Sequence, residues 1–446
     1  MGVTLLGRAG IGRFSPKAVV PSQFRITAAH YDARMSTTNA AALPPVSLRQ
    51  DAGVIGLVGL AHMISHFCQL LLAPLFPWLK DAFDASYTEL GFLMTIFFVT
   101  SCAVQALSRF MVDKYGPRPI LFAGLALLGT AAFGFSMSPN YTTMMLFSVV
   151  AGVGNGVFHP VDYTLLNRKV SAPRLGHAYS FHGITGSLGW ALAPALLVPI
   201  AISFSWQAAL QAAGALAFFV LALLWLNRDK FELPAVPDSH KPTAAQVAEG
   251  NFGFLRIPAV WMCFGFFFFY AVVLSVIQAF APTAARHLHD VPVALAAMCL
   301  TVYMVCSAGG MVLGGFLASN PERCERVVGF GFGAAALVAL WMGLGPVPAL
   351  AVPALFGAMG FASGIAGPSR DLLVKRSTPD NATGRVYGIV YSGLDIGQAL
   401  SPLVFGALMD HEQYRGVWLG LVFMQAVLIT SAFNVRRVRR TALVPA

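Results

Sequence analysis

Charge is what this chain has least of: of 446 residues only 11% are Asp, Glu, Lys or Arg, while 57% are hydrophobic. A soluble domain carries about 25% charged residues, so a protein with an ordinary solvated surface is excluded. The net charge of +10 is dispersed along the chain rather than gathered on one domain, which argues against a nucleic-acid partner. The six cysteines show no CxxC spacing; zinc-ribbon and dithiol chemistry are thereby removed, and the thiols are expected to be reduced packing residues. No GxxxxGK[ST] loop and no long soluble segment is present, which excludes a pump carrying its own ATPase. No clustered catalytic constellation is visible, so an enzyme is not expected, nor is a cofactor or a metal site. Residues 1–34 lack an apolar run long enough for a signal peptide. Residues 1–52 are expected to be a disordered tail, or in part a mis-assigned extension ahead of a start at Met35.

What is abundant is lipid-compatible sequence, with 35 Phe and 43 Gly. About twenty apolar residues cross a bilayer core, and twelve segments meet that length: 53–79, 86–108, 117–137, 141–166, 177–201, 206–227, 256–283, 291–318, 326–345, 348–373, 385–409 and 414–435. The one long polar stretch, 228–255, divides them six and six. The expected organisation is a six-helix bundle over 53–227, a cytoplasmic linker over 228–255, a second bundle over 256–435 and a basic tail over 436–446. Cytoplasmic loops collect Lys and Arg. With both termini placed inside, all but three of the 29 Lys and Arg (Lys80, Arg286 and Arg415) fall on the cytoplasmic side.

The chain also repeats itself. An offset of 208 residues aligns Ala73-Pro74 with Ala281-Pro282, Pro160 with Pro368, Gly176 with Gly384, Tyr179 with Tyr387, Gly189 with Gly397 and Pro194 with Pro402. Parallel repeats of this kind place a substrate site at their interface near the bilayer midplane, and rocking of the halves gives alternating access. The fold class expected is an all-α membrane protein with twelve transmembrane helices in two six-helix parallel repeats.

Ionisable residues inside such spans are functional candidates by default. Asp395 lies ten residues into the eleventh span, roughly 15 Å deep at 1.5 Å per residue. A carboxylate there can bind and release a proton as its surroundings change, and Gln398 lies one turn on. His62, His66 and Gln69 recur at i, i+4 and i+7 on one face of the first span; imidazole titrates near about pH 6.5, so this face can take a proton or contact substrate. Packing against neighbouring helices explains the two histidines equally well. His159 precedes Pro160, whose missing N–H can kink the fourth span and aim the ring at the cavity or at a partner helix. His182 is shallow in the fifth span and is expected to be structural. At the 208-residue offset Asp162 aligns with Arg370; the two are expected to pair across the halves when the cavity closes to the cytoplasm.

Six plus six spans, a central linker and parallel repeats resemble the major facilitator superfamily. The run Arg109-Phe110-Met111-Val112-Asp113-Lys114-Tyr115-Gly116-Pro117-Arg118 is similar to that superfamily's loop Gly-x-Leu-Ala-Asp-Arg-x-Gly-Arg-Lys, with Asp113, Lys114, Gly116 and Arg118 matching and Arg109 standing at the first Gly. The resemblance implies that Asp113 sits near the start of the eleventh span, around Gly384-Arg385, and that Arg109, Asp113, Lys114 and Arg118 act in gating. More narrowly, Phe158-His159-Pro160 and the Gly-rich fifth span ending at Pro194 resemble the fosmidomycin-resistance branch, although Val161-Asp162 follow where that branch usually has Glu. The resemblance covers 53–435. It implies a monomer in the bacterial inner membrane, both termini cytoplasmic, exporting a small amphiphilic or drug-like compound in exchange for protons. The nearer alternative is a proton symporter importing an organic acid or other small metabolite. A non-transporting sensor would need a larger soluble extension than this linker supplies.

Overall fold

The computed structural model describes residues 47–233, 258–318, 323–377 and 383–442; the expectations for 1–46 and for most of the linker lie outside them. No strand occurs among the described residues. Eleven helical segments are long and apolar enough to cross a membrane, and the 28-residue helix Thr383–Asp410 supplies the twelfth crossing. The chain is a multi-pass membrane protein.

The first span is α1 (Leu48–Gln69), which breaks over 70–75 and resumes as the short α2 (Phe76–Phe83). Then follow α3 (Tyr87–Tyr115), α4 (Pro117–Ser136), α5 (Tyr141–Asn155), α6 (Phe158–Lys169), α7 (Leu175–Ser203) and α8 (Trp206–Leu226). Here α5 and α6 together make the fourth crossing. The second half runs α9 (Pro258–Ala279), the short α10 (Ala281–His289), α11 (Val293–Leu317), α12 (Cys324–Leu344), α13 (Val352–Ser377), α14 (Thr383–Asp410) and α15 (Tyr414–Ala442). All six cysteines are unbridged.

Local chemistry explains where these helices start and stop. Ser86 caps α3 with a reciprocal capping box to Glu89, which satisfies two otherwise orphaned donors. Asn140 and Ser205 cap α5 and α8 from one side only, each side chain accepting a backbone N–H three residues on. The breaks after α1 and α9 fall at the aligned Ala73-Pro74 and Ala281-Pro282, and both short helices that follow end on a left-handed residue, Asp84 and Asp290. Asp tolerates that conformation better than most side chains. The repeat therefore extends to backbone detail. At the end of the bundle where α1 begins and α15 ends, buried Asp51 on α1 accepts from Ser171 and forms a 2.5 Å ion pair with Arg174, tying α1 to the turn ahead of α7.

Within the first half α1 packs on α7 and α4 on α8; within the second, α11 packs on α13 and α9 on α14. The halves meet along two helix pairs, α3 with α14 and α7 with α11. These pairings bring residues far apart in sequence into one central region.

Candidate functional site

Three elements of the first half deliver a buried knot of imidazoles around one carboxylate. The i, i+4 spacing on α1 puts His62 and His66 on its inner face. The fourth crossing is interrupted at Gly156-Val157, so α6 begins with Phe158-His159-Pro160 and presents His159 and Asp162 inward. From α7 comes His182. Its Nε2 lies 3.1 Å from Asp162 Oδ2, and His62 Nδ1 lies 3.2 Å from the same oxygen without the alignment of a proper hydrogen bond. The His62 and His182 rings stack with centroids 3.5 Å apart, while His66 and His159 stand 4.2 and 5.2 Å from His62.

Close helix approach makes this knot possible. A Cβ on Gly186 would meet His66 Cε1 at 2.8 Å and His62 Nε2 at 3.0 Å, so α7 can lie against the α1 histidines only with glycine there. Below the knot runs a polar chain across four helices. Trp190 Nε1 donates to Gln69 Oε1 at 2.9 Å, Gln69 Nε2 donates to Asn155 Oδ1 at 3.2 Å, and Asn155 Nδ2 donates to Ser101 Oγ at 2.8 Å. The Trp190 ring packs 4.3 Å from His66.

The second half carries the opposite charge at the matching place. Arg370 on α13 holds its guanidinium 4.4 Å from the Tyr270 ring centre and 5.5 Å from that of Phe267, both on α9. Tyr270 is the residue aligned with His62, as Arg370 is with Asp162. Each of the two symmetry-related charges is thus engaged within its own half: Asp162 by histidines and Arg370 by aromatic faces. Gln398 Nε2 donates to Gln278 Oε1 at 3.4 Å across α14 and α9.

Between the halves, α3 and α14 exchange a graded series of contacts. At the end where α3 begins and α14 ends, Asp410 accepts from the backbone N–H groups of Tyr87 (2.6 Å) and Thr88 (2.9 Å) and from the Thr88 hydroxyl (2.6 Å). A Cβ on Gly91 would come within 2.8 Å of the Pro402 carbonyl oxygen. Deeper, Thr95 Oγ1 donates to Ala399 O at 2.6 Å, and Gln105 Nε2 donates to the half-buried Asp395 Oδ2 at 3.3 Å. On the other seam Thr301 Oγ1 donates to Ala191 O at 3.1 Å. Past Gln105, Leu107, Phe110, Met111 and Tyr115 are exposed. Asp113 and Lys114 are exposed and Arg118 half-buried at that end; the Arg109 side chain and residues 378–382, just before the expected partner of Asp113, lie outside the described residues.

The expected candidates therefore separate into three places. His62, His66 and His159 come together, joined by Asp162, with Gln69 in the adjoining chain. Asp395 sits on the seam, Gln398 inside the second half. Sequence reasoning set His182 aside as structural because it weighed the residue's depth on its own helix; the structure places it against Asp162 and His62. It also overlooked Asp410, Gln105, Thr95 and Trp190, whose only sequence signal is a polar or amphipathic side chain on an apolar helix.

Comparison with known proteins points one way. The sequence model of the Major Facilitator Superfamily matches residues 58–402 and 275–445. The Fosmidomycin resistance protein of Escherichia coli (strain K12) is 26% identical over 184 residues, which is 41% of this chain and 43% of that protein. YfnC of Bacillus subtilis (strain 168), an MFS-type transporter, is 24% identical over 83% of this chain and 90% of its own length. Among solved structures, a bacterial homolog of the human lysosomal transporter Spinster, inward-facing and unoccupied, superposes with a TM-score of 0.73 at 16% identity, covering 90% of this chain and 100% of that one.

Proposed function

Because the chain belongs to the Major Facilitator Superfamily, we propose that it is a proton-coupled secondary transporter that exports a small amphiphilic organic compound by alternating access. The observation that carries the coupling is the contact between Asp395 on α14 and Gln105 on α3. A carboxylate bonded across the moving interface gives a proton leverage over conformation, because neutralising it changes a contact present in only one arrangement of the halves. Export follows the partial likeness to the Fosmidomycin resistance protein. In this reading the termini end is cytoplasmic, the protein is a monomer of the bacterial inner membrane, and the 109–118 loop with Arg109, Asp113, Lys114 and Arg118 closes that face. The closed seam at the opposite end agrees with the inward-facing arrangement of the Spinster homolog.

A second reading, symport of an organic acid with protons, is favoured by Arg370, a cation held on two aromatic faces in the second half. Vesicles distinguish the two by the direction of solute movement under an imposed pH gradient. In either direction Asp395→Asn abolishes gradient-driven accumulation and leaves solute exchange largely intact. An Asn variant that accumulates solute with unchanged pH dependence removes Asp395 from the mechanism.

A further inference from the structure

We propose that the first half contains a buried binding site for one divalent transition-metal cation of the zinc, cobalt or nickel class, ligated by His62, His159, His182 and Asp162. No motif spacing announces it, because the ligands come from three elements, α1, α6 and α7, and meet only on folding. It stands independently of the coupling role given to Asp395.

Geometry is the first support. One ligand nitrogen from each of His62, His159 and His182 can be chosen so that all lie within 4.8 Å of one another. The Asp162 oxygen lies 3.2 and 3.1 Å from the nitrogens of His62 and His182. Metal–nitrogen bonds of about 2.0–2.1 Å set the edge of a tetrahedron at roughly 3.3–3.4 Å. Two edges are therefore already close to that length; the His159 nitrogen, within 4.8 Å of its two histidine partners, has to draw in toward the Asp162 side to complete a four-ligand set.

The second support is the hydrogen-bond inventory. Each neutral imidazole brings one donor and one acceptor nitrogen, and buried polar groups are ordinarily paired. Here His159 Nδ1 and Asp162 Oδ1 have no hydrogen-bond partner, nor has either nitrogen of His66, and His62 Nδ1 makes no aligned bond. His62 is only 2% exposed and Asp162 fully buried. A cation at the centre turns unpaired lone pairs into ligands, and the Asp162 carboxylate offsets part of its charge.

Donor chemistry sets the class. Three imidazoles and one carboxylate suit zinc, cobalt or nickel, whereas magnesium and calcium take all-oxygen shells. Aromatic rings enclose the ligands: the His66 ring lies against both His62 and Trp190, and the Tyr163 ring centre stands 5.3 Å from that of His182. A bound ion would cross-link α1, α6 and α7, and ligation that exists only in the folded state stabilises that state.

The test uses the full chain, purified in detergent without a polyhistidine tag, stripped with chelator and titrated with zinc and, separately, cobalt. One zinc per chain is expected by elemental analysis, with a metal-dependent rise in thermal midpoint and the visible absorption of four-coordinate cobalt. His62→Asn and His182→Gln should each weaken binding by more than the roughly 10–100-fold typical of outer-shell changes. His177→Gln, on an exposed residue of α7, should leave it unchanged. A wild-type protein that shows no four-coordinate cobalt spectrum overturns the proposal without reliance on any variant. So does zinc retained at full stoichiometry by a folded His62→Asn, His182→Gln double variant.

Discussion

At the far end of α14 the carboxylate of Asp410 takes both of the first two N–H groups of α3 and the Thr88 hydroxyl. An acid at a helix N-terminus contributes about 0.3–1 kcal/mol when exposed and up to about 2 kcal/mol when partly buried. This cap comes from the other half of the molecule, so it favours the arrangement in which that end is shut. Asp410→Ala should raise the reactivity of a Thr95→Cys reporter toward thiol reagents from that side by about tenfold, the change that about 1.4 kcal/mol produces, while Asp410→Asn should show a smaller rise. Equal reactivity in all three proteins would mean that the cap has no part in closure. Asp395 was visible in the sequence because a carboxylate deep in an apolar span is rare. Asp410 was not, because acids at helix ends are ordinary and nothing in the sequence says which helix end lies opposite. The place of His182 beside Asp162 was hidden for a related reason: a histidine's surroundings depend on side chains from other helices.

The helices themselves were largely legible as apolar runs, and most of their ends agree with the structure to within a few residues. Their interruptions were not. Hydropathy averaged over a span is blind to a break of a few residues, so 53–79 read as one crossing although α1 stops at Gln69. The prolines at 74 and 77 were the available sign. The division of the fourth crossing into α5 and α6 was likewise hidden, though Pro160 pointed to the place. Between α11 and α13 the packing is backbone against backbone: Gly310 and Gly314 face the carbonyl oxygens of Phe361 and Ile365, and Gly360 and Gly364 face those of Tyr303 and Ser307. Small residues in membrane helices permit such approach. Gly314→Val forces the helices apart and should cost about 1–3 kcal/mol, the range of overpacked cores, read as a lower thermal midpoint in detergent. The same change at Gly315, where a Cβ meets open space, should be nearly silent; equal effects at both positions would contradict tight α11–α13 packing.

For the molecule as a whole, the repeat and the distribution of Lys and Arg predict which surfaces face which side. Cysteines placed near Arg286 and Arg415 should react with an impermeant reagent applied outside, and those near Lys114, Lys230 and Lys375 should not. Reaction of the Lys230 position in sealed cells would invert the orientation. The architecture was accessible from sequence because it is written in composition and periodicity. The two seams were not, since which face of α3 meets which face of α14 is settled by single residues such as Gly91, Thr95 and Gln105.

One consequence of the Asp410 cap concerns leakage. The Thr88 bonds to Asp410 lie at the exposed rim, so water can take over the freed donors as the carboxylate withdraws, and their release escapes most of the cost of a buried unpaired group. The cap therefore latches the mouth without waterproofing it. Exclusion of water falls to the contacts farther in, where the buried Thr95 hydroxyl and the Gln105–Asp395 pair hold the seam, and water admitted at the rim meets a dead end there.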